Sequence, residues 1–295
     1  MTAWDSAAAT DTGLLRDQNE DRYWVDAGRG VFLVVDGVGG QAAGEMAAET
    51  AVDAIRETIF DEGPVKERVR RAITHANNRI FELAQQKDKR RGMACVLTLA
   101  VMDGREVTIG HVGDSRLYLI WNGSIKKLTS DHSPVGEEEE AGELTETEAM
   151  LDPRRNEVFR DVGSRWRSAG EEDFIEIRQC RMRADAALLL CSDGLTDQLT
   201  AAQVREIVEG YAGDAARVAA ELVRAANAAG GRDNITALVV AGPEFGARGG
   251  HTTRPRLVTT RLRRGDWRFN GRLALVVYGL LLGMLVWAVL RTRGG

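Results

Sequence analysis

Two apolar runs in the chain end on the same dipeptide. Val31-Phe32-Leu33-Val34-Val35 leads into Asp36-Gly37, and Ala187-Leu188-Leu189-Leu190-Cys191 leads through Ser192 into Asp193-Gly194. Short continuous apolar runs bounded by glycine read as buried strands. Such strands need cover from other layers, and each of these two would deliver a carboxylate to the end of a sheet. Three more aspartates stand in similar places. Asp21 precedes a strand expected at Arg22–Val25, and Asp233 precedes one expected at Ile235–Ala241. Asp114 sits in the turn Gly113-Asp114-Ser115, between strands expected at Glu106–Val112 and Arg116–Trp121.

The rest of the pattern supplies the cover. Further strands are expected at Ala94–Met102 and Phe174–Arg178. The turns Met102-Asp103-Gly104 and Trp121-Asn122-Gly123 suggest a hairpin meander from Ala94 to Trp121. After the glycine turn, Val52, Ile55 and Ile59 recur at helical spacing, as do Val65, Val69, Ile73, Ala76, Ile80 and Leu83 behind Pro64. Two more helices are expected at Thr200–Glu209 and Ala215–Ala229. Strands and helices come in blocks rather than in alternation, which predicts an α+β fold with helices packed outside sheet layers. The acidic stretch Gly136–Glu148, followed by Asp152-Pro153-Arg154-Arg155-Asn156, reads either as a helix-bearing flap between strands or as a plain solvated surface face.

Five carboxylates brought together at strand ends would repel one another without counter-charge. Divalent cations supply it, and hard oxygen donors with retained water suit Mg²⁺ or Mn²⁺. The glycine beside Asp36, Asp114 and Asp193 lets the backbone approach an ion and offer its carbonyl. The competing reading of Gly37, Gly39 and Ala42 is a dinucleotide fingerprint. That fingerprint needs alternating βαβ units and would set Asp36 against a pyrophosphate. Charge excludes another class. Eight of the 39 Lys and Arg fall in residues 242–272 and two in the tail, against Glu244 and Asp266; this leaves 29 basic and 42 acidic residues in 1–241, a net of −13. A body this acidic is not built to follow a nucleic-acid backbone, as a binder or as a nuclease.

Six segments, in chain order, carry a family resemblance. They are Gly13-Leu14-Leu15-Arg16-Asp17-Gln18-Asn19-Glu20-Asp21, Val35-Asp36-Gly37-Val38-Gly39-Gly40, Val112-Gly113-Asp114-Ser115-Arg116, Thr129-Ser130-Asp131-His132-Ser133, Ser192-Asp193-Gly194-Leu195 and Arg232-Asp233-Asn234. Together they resemble the metal-dependent serine/threonine protein phosphatases of type 2C (PPM), and the flap is similar to that of bacterial members. The resemblance spans about residues 10–241. It implies a β-sandwich of two antiparallel sheets flanked by helices on both sides, with a metal centre at one end. It further implies that Asp36 bridges two divalent ions, Mn²⁺ or Mg²⁺, and that the Gly37 carbonyl binds one of them. Asp193 and Asp233 would hold the other ion, Asp21 and Glu20 would act through metal-bound water, and Asp114 with Asp193 would make a third, weaker position.

Arg16 would clamp the substrate phosphate, a task that suits its planar fork; a salt bridge to Asp17 or Glu20 is the plainer alternative. The implied reaction is direct hydrolysis of phosphoserine and phosphothreonine in cytoplasmic proteins by a hydroxide shared between two ions. A Ser/Thr protein kinase is the expected counterpart. Some members carry His at the position of Val38 as proton donor to the leaving alcohol; valine cannot serve, and His111 and His132 read as structural. A different class, a non-catalytic phosphoprotein-binding scaffold on the same fold, is opposed by the presence of Asp36, Asp193, Asp233 and Arg16 together.

Leu273–Leu290 is an uncharged run of 18 residues, about 27 Å long as a helix and close to the thickness of a bilayer core. Arginines flank it, more densely on the N-terminal side, so a transmembrane helix there would leave residues 1–272 in the cytoplasm. The expected division is a phosphatase domain at 1–241, a basic linker at 242–272, a single span of the cytoplasmic membrane at 273–290 and a tail at 291–295. Gly279 and Gly283 form a GxxxG that suits homodimeric pairing of two such helices or, equally, small lipid-facing positions. No signal peptide is expected at the N-terminus. Three sparse cysteines, Cys95, Cys180 and Cys191, argue for a reducing compartment.

Overall fold

Successive side chains of the strand Val31–Val38 point in opposite directions. Val31, Leu33 and Val35 enter one apolar cluster, whereas Phe32 and Val34 enter another. A strand alternates its faces with period 2, so the unbroken apolar run means that both faces are covered. The computed structural model describes residues 4–39, 42–86, 92–168 and 170–246, and it shows what the covers are.

The strands are β1 (Asp5–Asp11), β2 (Arg22–Asp26), β3 (Val31–Val38), β4 (Ala94–Asp103), β5 (Glu106–Val112), β6 (Arg116–Trp121), β7 (Ser124–Lys127), β8 (Glu176–Arg181), β9 (Ala187–Cys191) and β10 (Ile235–Ala241). They form two antiparallel sheets, ordered β2-β3-β4-β5-β8 and β1-β10-β9-β6-β7. Phe32, Val34, Ile109, Leu117, Leu188, Leu190 and Leu238 fill the space between them. Helices α1 (Ala42–Thr58) and α2 (Val65–Gln85) cover the outer face of the first sheet through Ile55, Ile73 and Ile80. Helices α6 (Ala201–Glu209) and α7 (Ala215–Ala229) cover the second through Val204, Val208 and Leu222. Between β7 and β8 lie α3 (Pro134–Glu140) and α4 (Glu146–Leu151), and the single turn α5 (Asp193–Thr196) follows β9. The two-sheet sandwich with helices on both sides is the architecture expected from the sequence.

Local signals set several boundaries. Thr200 caps α6 through a capping box with Gln203, Thr145 does the same for α4 with Glu148, and Asp214 caps α7 by accepting from Arg217 N–H. These side chains satisfy helix-end N–H groups that have no partner within the helix.

The meander expected from Ala94 to Trp121 is corrected. β4 and β5 do form a hairpin, but β6 leaves for the other sheet, where it pairs with β7 and β9. Two strands were not anticipated, β1 and β7. β1 is Asp-Ser-Ala-Ala-Ala-Thr-Asp, weak in strand propensity, and it owes its conformation to seven-residue pairing with β10. The strand expected at Phe174–Arg178 starts later, because Phe174 and Ile175 pack into the cluster beneath α2. The packed body also continues past Ala241: Glu244 N–H donates to the Ala184 carbonyl and Phe245 rests 5.5 Å from the Tyr211 ring. Among the described residues no helix is long and apolar enough to cross a membrane. The expected span at 273–290, the linker beyond residue 246 and the tail lie outside the described residues.

Candidate active site

Strand register brings the five aspartates to one end of the sandwich. Arg22 of β2 pairs with Val35 of β3, which sets Asp21 beside Asp36. Cys191 of β9 pairs with Arg116 of β6 on one side and Ala237 of β10 on the other, so Asp193, Asp114 and Asp233 also emerge there. Arg16, Glu20, Asp36, Gly37, Val38, Asp114, Asp193 and Asp233 line a single cavity of about 160 Å³.

The electrostatics follow from that convergence. Burial, then repulsion from Asp21, Asp193, Asp114 and Asp233, pushes the Asp36 carboxyl well above its ordinary range. Asp193 is raised by burial first and then by Asp114, Asp197, Asp233 and Asp21. Burial, reinforced by Asp131, lifts Asp114 to about 7. Asp21 is lifted to about 6, with burial outweighing two hydroxyl hydrogen bonds. Opposing charge comes from Arg16, whose Nη2 donates to Asp233 Oδ2 at 2.7 Å. Its partner is therefore Asp233 rather than Asp17 or Glu20.

Asp21 does not line the cavity. It stands behind the wall, where Ser192 Oγ and Thr236 Oγ1 each donate to its Oδ2 at 2.7 Å. Its Oδ1 is buried and has no hydrogen-bond partner, an arrangement that costs on the order of 1–3 kcal/mol unless something fills it. Asn234 performs a comparable bracing task. It accepts from Glu20 N–H at 2.8 Å and donates to the carbonyls of Thr12 and Gln18, which pins the loop carrying Arg16 against the start of β10. Sequence reasoning gave no role to Ser192, Thr236 or Asn234. Ser192 and Asn234 adjoin ligand-type aspartates, which is a signal; nothing local marks Thr236. Asn156 and Val158, which also line the cavity, are further additions.

The donor set fits divalent cations. Four aspartates and Glu20 face the cavity, the partnerless Asp21 Oδ1 stands behind it, and two glycines leave no room for a side chain. A Cβ on Gly37 would overlap the carbonyl of Gly44 and one on Gly194 the carbonyl of Asn234. Gly194→Ala should therefore displace Asn234, and Asp233 with it. A loss of about 3 kcal/mol is expected for such overpacking, to be read from urea denaturation.

A second group of metal-type residues lies nearby. His111, His132 and Glu176 bring one ligand atom each within 4.8 Å of one another. However, His111 Nδ1 meets Thr98 Oγ1 at 2.9 Å and its Nε2 meets the carbonyls of Gly113 and Ser130. His132 Nδ1 accepts from Gly113 N–H at 3.0 Å. Burial, then His111 and Arg160, lowers the pKa of His132 to about 3. Both rings are neutral braces for the turn that carries Asp114.

Comparison with known proteins agrees with this geometry. The family model for protein phosphatase 2C matches residues 10–238. Protein phosphatase PhpP of Streptococcus pneumoniae is 35% identical over 240 residues, covering 78% of this chain and 94% of that protein. Serine/threonine phosphatase stp of Listeria welshimeri is 33% identical over 240 residues, covering 78% of this chain and 93% of its own length. The crystal structure of the catalytic domain of serine threonine protein phosphatase PstP in complex with 2 manganese ions superimposes with a TM-score of 0.71 at 29% identity, over 82% of this chain and 99% of that one. The chain belongs to the protein phosphatase 2C family of serine/threonine phosphatases.

Proposed function

We propose that this cavity binds two divalent cations, manganese or magnesium, and hydrolyses phosphoserine and phosphothreonine in proteins. The observation that carries the reading is the convergence of Asp36, Asp114, Asp193 and Asp233 on one cavity with the orphaned Asp21 Oδ1 behind them. Asp36, the Gly37 carbonyl, Asp193 and Asp233 would hold the two ions, Asp21 would support them through water, and Asp114 with Asp193 would offer a third position. When bound, the cations supply Lewis acidity toward phosphoryl oxygens and make water a competent nucleophile near neutral pH.

The chain's own residues do the rest. Arg16 is half exposed and can turn its guanidinium from Asp233 toward a phosphate dianion, a match for its fork geometry. Val38 stands at the mouth of the cavity with no proton to give, and the histidine rings are committed to the Asp114 turn, so solvent protonates the leaving alkoxide. Cysteine chemistry is closed off. Burial pushes the Cys191 thiol up to about 12, and only the thiolate is a nucleophile. Hydrolysis is thus direct, without a phosphoenzyme.

The uncharged run at 273–290 supports a membrane tether with the phosphatase body in the cytoplasm, and Gly279 and Gly283 suit pairing of two tethers. A Ser/Thr kinase that phosphorylates the same proteins is the natural counterpart. The test uses the full chain and a phosphothreonine peptide. Phosphate release should require Mn²⁺ or Mg²⁺ and stop in EDTA. Peptide binding without turnover in Mn²⁺ would make the protein a scaffold instead.

A further inference from the structure

Of the tryptophans among the described residues, Trp166 is the most open to water, with 55% of its surface exposed. A single exposed apolar side chain is ordinary, but this one is held firmly in place. It sits in the segment 163–167, which lies along α2 ahead of β8. Gly163 presses so closely on the helix that a Cβ there would overlap Ile80 Cγ2. Two consecutive asparagines of α2 then grip the segment on either side of the indole. Asn77 Oδ1 accepts from Gly163 N–H at 2.8 Å, and its Nδ2 donates to the Arg165 carbonyl at 2.8 Å. Asn78 Nδ2 donates to the Arg167 carbonyl at 2.9 Å, and its Oδ1 accepts from Arg167 N–H at 3.0 Å. Asparagine is a poor residue for a helix interior, and Asn77 is fully buried. The pair does little for the helix; it fixes the backbone before and after Trp166.

The surroundings of the indole suit a contact surface. Trp166 meets the half-buried Phe81 ring of α2 edge to face, with 6.4 Å between centroids. Arg165 and Arg167 flank it in sequence, and both donate to one oxygen, Glu171 Oε1, at 2.9 and 2.8 Å. One carboxylate for two guanidiniums leaves a positive surplus beside the indole, and Arg165 is 64% exposed. Binding energy concentrates on tryptophan and arginine, and a backbone ordered in advance loses less freedom on association. The catalytic cavity is close by. Val162 bridges to Cys95, which adjoins Val96 in the cavity wall. The four residues from Val162 to Trp166 span at most about 14 Å. A peptide whose phosphate enters the cavity therefore needs only a few further residues to reach the indole.

We propose that Trp166, Phe81 and Arg165 form a docking surface, outside the catalytic cavity, for an apolar side chain flanked by acidic residues in the protein substrate. The apolar side chain packs on the indole, and a neighbouring carboxylate pairs with Arg165. This rests on the phosphatase reading above.

The experiment follows the full chain in Mn²⁺ on p-nitrophenyl phosphate and on three phosphothreonine peptides. The peptides carry Glu-Leu-Glu, Glu-Ala-Glu or Lys-Leu-Lys about five residues to each side of the phosphothreonine. For the parent, KM should be about fivefold lower with Glu-Leu-Glu than with either of the others. The acidic body by itself favours the lysine peptide, so the opposite preference reports the local surplus of positive charge. Trp166→Ala should raise KM for Glu-Leu-Glu about fivefold and erase the preference, with kcat/KM for p-nitrophenyl phosphate within about twofold of the parent. Trp166→Phe should restore most of the preference, because a ring keeps the apolar contact. Arg165→Glu should make Lys-Leu-Lys the better peptide. Equal KM values for the three peptides with the parent, a preference that survives Trp166→Ala, or a loss shared equally by p-nitrophenyl phosphate would each overturn the proposal. If Trp166→Ala does not fold, the charge swap in Arg165→Glu decides alone, since that side chain is mostly in water. A parent chain that turns over none of the substrates removes the phosphatase reading and this proposal with it, whereas an active parent without the peptide preference removes this proposal alone.

Discussion

Replacing Asp36 with Asn should lower phosphatase activity about a thousandfold or more, equivalent to about 4 kcal/mol of barrier, and at the same time raise the melting temperature of the chelated protein. The opposite signs come from one cause. Asp36 stands where Asp21, Asp193, Asp114 and Asp233 all repel its charge. A divalent cation held there would turn that repulsion into attraction, and the carboxylate would then be needed for loading and for chemistry. Without the cation, the same carboxylate is a net cost of folding, and the near-isosteric amide removes it. Stability is exchanged for a preorganised charge, as at many functional sites. The measurements are phosphate release in Mn²⁺ and thermal unfolding in EDTA. Retention of more than a tenth of parent activity, or a lower melting temperature in EDTA, would contradict the bridging assignment.

The sequence already carried the ends of this argument, for identifiable reasons. Asp36 and Asp193 each come just after a buried apolar run, which places both near the C-terminal ends of strands. The first helix pair showed through its apolar spacing and Pro64, and the helix expected at Ala215–Ala229 has the same bounds in the structure. What stayed hidden depends on partners distant in sequence. β1 is a strand because β10 lies beside it, and three consecutive alanines say nothing of that. β6 leaves the first sheet at the Asp114 turn, whereas hairpin logic kept it next to β5. The bracing of Asp21 by Ser192 and Thr236 spans 171 and 215 residues, and hydroxyls of this kind look like any others until the sheets face each other. Arg155 was visible as part of a motif, but its partner Asp197, 42 residues away, was not.

The chelated protein should lose stability as pH rises from about 6.5 to 8.5, by on the order of 2–3 kcal/mol or several degrees in Tm, and the loss should vanish in Mn²⁺. Asp21 and Asp114 are raised to about 6 and about 7, while Asp36 and Asp193 are raised well beyond the usual carboxylate range. An unfolded Asp ionises near about 3.9. Between these values the folded state binds more protons than the unfolded state, so stability falls with pH. It is fully present below the unfolded value and is lost as pH climbs through the folded ones. Water reaching Asp36 and Asp193 from the cavity keeps the magnitude modest. Below about pH 6.5 the histidines oppose this trend in part. His111 and His132 are held neutral, and an unfolded imidazole takes its proton below about pH 6.5, so two protons taken up by the unfolded state offset part of those retained by the four raised carboxyls. Asp131, lowered beside Arg116 and Lys127 despite its burial, acts lower still. Bound cations keep the cluster ionised in the folded state, which removes the proton uptake and flattens the upper limb. A chelated protein whose stability is constant or rises from pH 6.5 to 8.5 would mean that these carboxylates do not repel one another as their placement requires.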